Sequence, residues 1–296
     1  MFRTSNPALR KSEFAPAQTW DDLDRQGRGI STADRGASAP ARAAEPGVMT
    51  VQGTVNKTFL LLGLCVTTAV LGWSMSTSEN PLFGLPSVSP FLLAMIGFIG
   101  GLVLVLVASF NPKISPVVAP MYAIVKGFAV GGISAAFASW AAPKAGVAVS
   151  ASATSLNTGL VLNAAVLTFA IAAGVLASYA TGLVRPGKTF YNIVIAGTIG
   201  AALFGLVAMV TAMFGNNTLA SVYDPNNGGL VSVGFSLLLV VLASANLVLD
   251  FDIVANGARN RAPKYMEWYG GLSILVTMVW LYIEVLRLLA KLRSGE

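Results

Sequence analysis

The sequence contains no histidine and only one cysteine, Cys65, among its 296 residues. The lack of histidine excludes Ser-His-Asp and Cys-His catalysis, the HExxH zinc motif and any His-ligated metal or haem. A single cysteine excludes an intrachain disulfide. The sequence also lacks a GxSxG motif. We therefore expect a protein that is not an enzyme and has no resident cofactor.

Charged residues are scarce as well, at 11% of the chain, compared with about 25% in a typical soluble domain. The chain is 55% hydrophobic and its mean hydropathy is +0.70, which predicts an integral membrane protein. The net charge of +6 could suggest a nucleic-acid partner. Beyond the first 50 residues, however, most basic groups lie in short turns between apolar runs, a pattern typical of membrane orientation. We expect a lipid bilayer and no nucleic acid as partner.

Residues 1–50 differ in composition from the rest of the chain. They are rich in Ala, Arg, Ser, Pro and Asp and have no sustained apolar period, which predicts a disordered cytosolic tail. Residues 51–296 are predicted to form one transmembrane domain. Seven apolar runs in this part are close to the ~20 residues that a bilayer requires. They cover residues 56–75, 90–110, 117–140, 159–183, 190–214, 229–256 and 266–291.

The basic residues of the connecting turns alternate along the chain. The second, fourth and sixth turns carry Lys113, Arg185, Lys188, Arg259, Arg261 and Lys264, whereas the other three hold only Lys144. This alternation predicts a multi-pass protein of the plasma (inner) membrane with its N-terminus in the cytosol. With seven spans, the basic residues Arg287, Lys291 and Arg293 face outward. An outward position of these residues conflicts with the rule that basic residues remain on the cytosolic side. Either the last run does not fully cross the membrane or helix packing overrides this rule, and we favour a full crossing.

Three acids lie inside the last two runs, a helical turn or more from either end: Asp250, Asp252 and Glu284. A carboxylate within a membrane span usually faces a cavity, a partner or an ion path. On a helix, Asp250 and Asp252 point about 160° apart. Asn246, four residues earlier, lies on the same face of the helix as Asp250. A second polar group on that face favours an interior position for Asp250. Asp252 lies nearer the basic turn, where it could simply reach the cytosolic interface.

Depth separates the acids further. The last run reaches the level of Asp250 near Thr277, and Glu284 lies about 10 Å beyond it at 1.5 Å per residue. Asp250 and Glu284 are therefore not expected to pair directly. Thr277 and Glu284 lie on one face and could line one path at two levels. The alternative for Glu284 is an outer-interface residue that snorkels to water.

Lys126 is a further charge within an apolar run, the third. Its depth is close to that of Asp250, and either charge alone would be costly in a bilayer. We predict an ion pair of Lys126 with Asp250 or Asp252. The alternative is that Lys126 snorkels to the cytosolic headgroups.

Three segments of the chain carry a resemblance to a known family. They are VNKTFLLLGLCVTTAVLGW, NPKISPVVAPMYAIVKGFAVGGIS and LDFDIVANGARNRAPKYMEWYGGLSILVTMVWLYIEVLRLLAKL. Over about residues 50–293 the chain resembles the Bax inhibitor family of membrane proteins, in particular its bacterial branch with a polar N-terminal extension. The resemblance implies an all-α seven-helix bundle in which the last helix is central and is wrapped by the other six.

The resemblance also implies a pH-sensitive calcium-leak activity, in which an aspartate of the sixth helix and one of the seventh share a proton or exchange it for a cation. The sixth-helix aspartate falls on Asp250, with Asp252 as the alternative register. The seventh-helix position falls on Thr277 or on Glu284, depending on which residues are matched. Depth favours Thr277, and the chain then lacks the second carboxylate. Lys126 stands where the family is expected to have an acid.

Two functions remain open at this stage. The first is a passive, pH-sensitive Ca²⁺ path in which Asp250, with Asn246 and water, forms a weak transit site for the ion. The second is a regulatory membrane protein that acts through a protein partner in membrane proteolysis or stress survival, without conducting ions.

Overall fold

Seven long helices form the part of the protein that the computed structural model describes, residues 47–77, 84–140 and 158–294. All seven are long and apolar enough to cross a membrane, so the predicted all-α seven-helix membrane bundle is confirmed. The helices are α1 Val51–Thr77, α2 Pro90–Phe110, α3 Ser115–Trp140, α4 Thr158–Ala180, α5 Lys188–Met213, α6 Leu230–Arg259 and α7 Met266–Ser294.

Local sequence explains where several helices begin. The first residue of α2 is Pro90, whose fixed φ suits a first helical turn. The side chain of the preceding Ser89 caps the helix, since its hydroxyl oxygen accepts a hydrogen bond from the Leu92 amide at 3.3 Å. Gly187 precedes α5 in an extended conformation, at the Pro-Gly break of the sequence. At these two positions, proline, serine and glycine therefore define where a helix begins.

The centre of the bundle is α7. It packs against α1, α3, α4 and α6, and a larger share of its hydrophobic segment is buried than in any other helix. By contrast, α2 packs on α3 and α5 packs on α6, and neither makes extensive contact with α7. The expected central position of the last helix is confirmed, but four helices surround it rather than six.

The two ends of α7 show that it crosses the whole bundle. Glu267, at its start, bonds to the beginning of α1, and Lys291, near its end, bonds to the connection between α5 and α6. The last helix therefore runs the full length of the bundle, and it is long and apolar enough for the expected full crossing. Lys291 is buried and bonded within the protein, so it is not a free charge at the helix end.

Residues 47–50 pack against the turn between α6 and α7. Val48 forms an isolated antiparallel bridge with Pro263, and the Met49 amide donates to Ala262 O at 2.8 Å. The Met49 side chain is buried. These four residues were predicted to belong to the tail but are an ordered part of the bundle. The rest of the predicted tail, residues 1–46, lies outside the described residues.

Close backbone approach joins α1 to α3. A Cβ atom at Gly131 would overlap with Ala69 O and with the Trp73 amide nitrogen of α1. In a bilayer, where lipid is as apolar as the protein, such small-residue contacts supply much of the packing attraction between helices. The contact between α1 and α3 therefore depends on the absence of a side chain at this position.

We predict that Gly131→Ala lowers the free energy of unfolding in detergent by about 1–3 kcal/mol, because the added methyl group overpacks a backbone contact. The matched control is Gly174→Ala on α4, where an added Cβ meets no atom within 4 Å. This control should be neutral or slightly stabilising. Equal stability of the two variants in a thermal or denaturant titration would contradict the close approach.

Candidate functional site

Asp250 is a buried carboxylate on α6, with 6% of its surface exposed. Its Oδ1 accepts a hydrogen bond from the Ser273 hydroxyl of α7 at 2.5 Å. Its Oδ2 is buried and has no hydrogen-bond partner within the described part of the chain. The predicted interior position is therefore confirmed, and the carboxylate keeps one oxygen available between the two helices.

Thr277 and Glu284, the two candidates for the seventh-helix position, lie at different levels. The buried Thr277 side chain approaches the Asp250 carboxylate but makes no hydrogen bond to the free Oδ2. Glu284 is bonded elsewhere, to Arg287 and Trp280. The structure therefore brings Thr277, and not Glu284, to Asp250, as the depth argument expected.

Asn246 and Asp252 are hydrogen-bonded to other helices. The Asn246 amide nitrogen donates to the Thr198 hydroxyl of α5 at 2.8 Å, and the expected role of Asn246 beside Asp250 stays a prediction. Asp252 is half-buried and accepts hydrogen bonds from Tyr179 at 3.0 Å and Tyr191 at 2.6 Å. The two tyrosines hold this carboxylate against α4 and α5.

Lys126 forms no ion pair with Asp250 or Asp252, and it has no acidic partner among residues 47–77, 84–140 and 158–294. Its side chain lies against Gly101 of α2, and its Nζ is 5.9 Å from the centre of the Tyr122 ring. The predicted pair is wrong because Lys126 faces the peripheral helix α2. A depth estimate cannot reveal this direction.

Glu284 belongs to a polar cluster near the end of α7. Its Oε2 accepts from Arg287 at 2.6 Å and its Oε1 from the Trp280 indole at 3.3 Å. The Arg287 guanidinium in turn lies 5.1 Å from the centre of the Tyr223 ring. Glu284 is 4% exposed, so the alternative of a carboxylate that snorkels to water is wrong.

A fully buried lysine, Lys291, was missed by sequence reasoning. Its Nζ donates to Val222 O at 2.5 Å, to Ser236 Oγ at 2.7 Å and to Ser232 O at 3.1 Å. All three ammonium protons are thus used by the α5–α6 connection and the start of α6. In the sequence Lys291 looks like an ordinary basic residue at the end of a span, so no signal distinguished it.

A second buried charge, Glu267, was also missed. It is 1% exposed, and its carboxylate accepts from Lys57 Nζ at 2.6 Å. The amide and the hydroxyl of Thr50 both donate to it at 3.0 Å. The sequence did contain a signal for this ion pair, namely a lysine inside the first apolar run and an acid at the start of the last one.

With the bundle and its polar groups located, the chain can be compared with known families. The family described as Bax inhibitor 1 like matches residues 6–294, nearly the whole chain. The chain belongs to the Bax inhibitor 1 like family. A search of curated proteins found no match.

For this Bax inhibitor 1 like protein, the arrangement around Asp250 limits the chemistry. Within the described ranges, no group of three or more His, Cys, Asp or Glu side chains could hold a metal ion. A cation at Asp250 would find one carboxylate and the nearby hydroxyls of Ser273 and Thr277. Because Ca²⁺ takes six to eight oxygen ligands, water would have to complete its shell, and such a site binds weakly.

We predict that Lys57→Met lowers the free energy of unfolding in detergent by about 3 kcal/mol, because it leaves the buried Glu267 charge without its cation. The double variant Lys57→Met/Glu267→Gln should recover most of this loss. The matched control Lys113→Met removes an exposed lysine and should be nearly neutral. A Lys57→Met effect as small as that of Lys113→Met would mean that the pair behaves as a surface salt bridge.

Proposed function

We propose that this protein is a passive, pH-sensitive cation path, most suited to Ca²⁺, with Asp250 as the carboxylate that binds either a proton or the cation. The observation that supports it is the free, buried Oδ2 of Asp250. A buried acceptor left unbonded is costly, and it is relieved when a proton or a partly hydrated cation arrives. The proposal involves no enzymatic step.

The weakness of the site agrees with this function. Conduction requires binding that is strong enough to attract the ion and weak enough to release it. One carboxylate and two hydroxyls meet that requirement better than a cage of several acids would. The presence of Thr277 instead of a second carboxylate removes any proton sharing between two acids, so the proposed switch depends on Asp250 alone.

The expected pH response follows from the charge of Asp250. When ionised, the carboxylate attracts a cation, and when protonated it carries no charge. Cation flux should therefore rise with pH and fall on acidification. Asp252 is not part of the proposed transit site, since its two oxygens already accept from Tyr179, Tyr191 and Asn256.

The proposed location is the plasma (inner) membrane, with the start of α1 in the cytosol. In a bundle of alternating spans, the start of α1, the α4–α5 turn and the α6–α7 turn lie on the same side. Arg185, Lys188, Arg259 and Lys264 belong to these turns, and positively charged turns favour the cytosolic side.

We predict that the full chain in liposomes admits Ca²⁺ to a trapped fluorescent indicator, with influx that increases from pH 6 to pH 8. Asp250→Asn should lower influx at pH 8 by roughly tenfold, the effect of about 1.4 kcal/mol lost at the transit site. It should also abolish the pH dependence. The matched control Asp252→Asn, two residues along the same helix, should retain both the influx and its response to pH.

Three results would count against this proposal. Unchanged influx in a folded Asp250→Asn variant would remove Asp250 from the path. Loss of the pH response in Asp252→Asn alone would transfer the role to Asp252. No influx with the wild-type protein would favour the alternative of a regulatory protein that acts through a membrane-protein partner in proteolysis or stress survival.

A further inference from the structure

A cavity of about 440 Å³ lies in the side of the bundle, between α1 and α4. Its back wall is formed by α7, through Leu275, Met278 and Val279, and by Gly131 on α3. These three α7 side chains are buried, with no more than 7% of each exposed. The cavity therefore reaches inward as far as the central helix, which forms its floor.

The rims of the cavity face the lipid phase. Val70 on α1 is 55% exposed and Leu162 on α4 is 63% exposed, and both side chains line the cavity. The two helices make no extensive contact with each other. Since both are membrane spans, the gap between them opens sideways into hydrocarbon and not into water.

The cavity extends over one leaflet. On α1 it runs from Leu62 to Trp73, a rise of about 16 Å at 1.5 Å per residue. On α4 it runs from Thr158 to Phe169, again about 16 Å. The hydrocarbon core of a bilayer is about 30 Å thick, so the cavity reaches from one interface to about the bilayer centre.

The lining of the cavity ends at Leu62 on α1, and beyond that residue α1 packs directly against α7. A Cβ at Gly271 would lie 3.3 Å from Thr58 Oγ1 and 3.4 Å from Leu61 Cδ1, which shows how closely the two helices meet there. A transmembrane helix of another protein must cross both leaflets. It cannot seat in a cavity that ends half-way, whereas an acyl chain of one leaflet also ends there.

Three hydroxyls of the otherwise largely apolar lining are bonded within the protein. The hydroxyls of Ser134 and Tyr282 bond to each other at 2.7 Å, and the Thr168 hydroxyl donates to Ala164 O at 2.7 Å. An apolar cavity of this kind does not attract water. The occupant that suits it is therefore apolar along its length.

We propose that this cavity, termed here the α1–α4 cavity, binds one acyl chain of a bilayer phospholipid from the leaflet in which α1 ends and α4 begins. The chain packs between Val70 on α1 and Leu162 on α4, with Leu275, Met278 and Val279 of α7 behind it. This inference does not depend on the proposed cation path, because the cavity lining does not include Asp250.

The test is photolabelling of the full chain in phosphatidylcholine vesicles that contain a trace of phosphatidylcholine with a diazirine at the end of one acyl chain. Exposed helix faces will be labelled in any case. The informative segment is 275–282 of α7, because a lipid chain reaches its buried side chains through the cavity. We expect adducts on this segment by peptide mass mapping.

Filling the cavity should remove this labelling. Ala165 lines the cavity on α4, and Ala165→Phe should reduce adducts on segment 275–282 by roughly tenfold because the ring occupies the space of the chain. Ala69→Leu, from the α1 wall, is a second variant in case the first does not fold. The matched control Ala202→Phe, on an exposed face of α5, should leave the labelling unchanged.

Three outcomes would overturn the proposal. The first is the absence of adducts on segment 275–282 in the wild-type protein while exposed faces are labelled. The second is undiminished labelling of that segment in a folded cavity-filling variant. The third is labelling of the segment by a free fatty acid carrying the same diazirine but not by the phospholipid.

Discussion

Water is absent from the hydrocarbon core of a bilayer, so each polar group on the central helix has to find its partner inside the protein. In α7 this constraint is met at three levels. Glu267 binds Lys57 and Thr50 at the start, Ser273 binds Asp250 further along, and Lys291 binds oxygens of the α5–α6 connection and α6 near the end. These contacts tie the central helix to α1, α6 and the loop between α5 and α6, and the remaining helices pack around that frame.

The three levels differ in how completely they are satisfied. Glu267 accepts from three donors, and Lys291 donates to three oxygens, so both ends of α7 are held firmly. Asp250 has one bond and one free oxygen. A charge whose hydrogen bonds are all made gains little from a new ligand, whereas an unbonded acceptor gains a full interaction. Binding of a proton or cation is therefore most favourable at Asp250, the middle of the three levels. The proposed function follows from this contrast between rigid ends and an incomplete middle.

Much of the fold could be predicted because hydrophobicity along the chain is a one-dimensional property. The length of the apolar runs located seven spans, and counting residues placed Thr277, but not Glu284, at the depth of Asp250. Direction around a helix is harder to obtain, because it depends on which neighbour lies on each side. For that reason Lys126 was given the wrong partner, and the hydrogen bond of Asn246 to Thr198 of α5 was not foreseen. Glu267 and Lys291 were missed because a charge near the end of a span looks the same whether it faces headgroups or a partner.

The central position of α7 bears on how the protein is made. The four helices that surround it all precede it in the chain, so the helix that fills the middle leaves the ribosome after its neighbours. Until then Asp250 has no Ser273 to bond, and the faces of α1, α3, α4 and α6 that cover α7 in the bundle lack that partner. The polar contacts at both ends of α7 therefore form only when the last helix has been made.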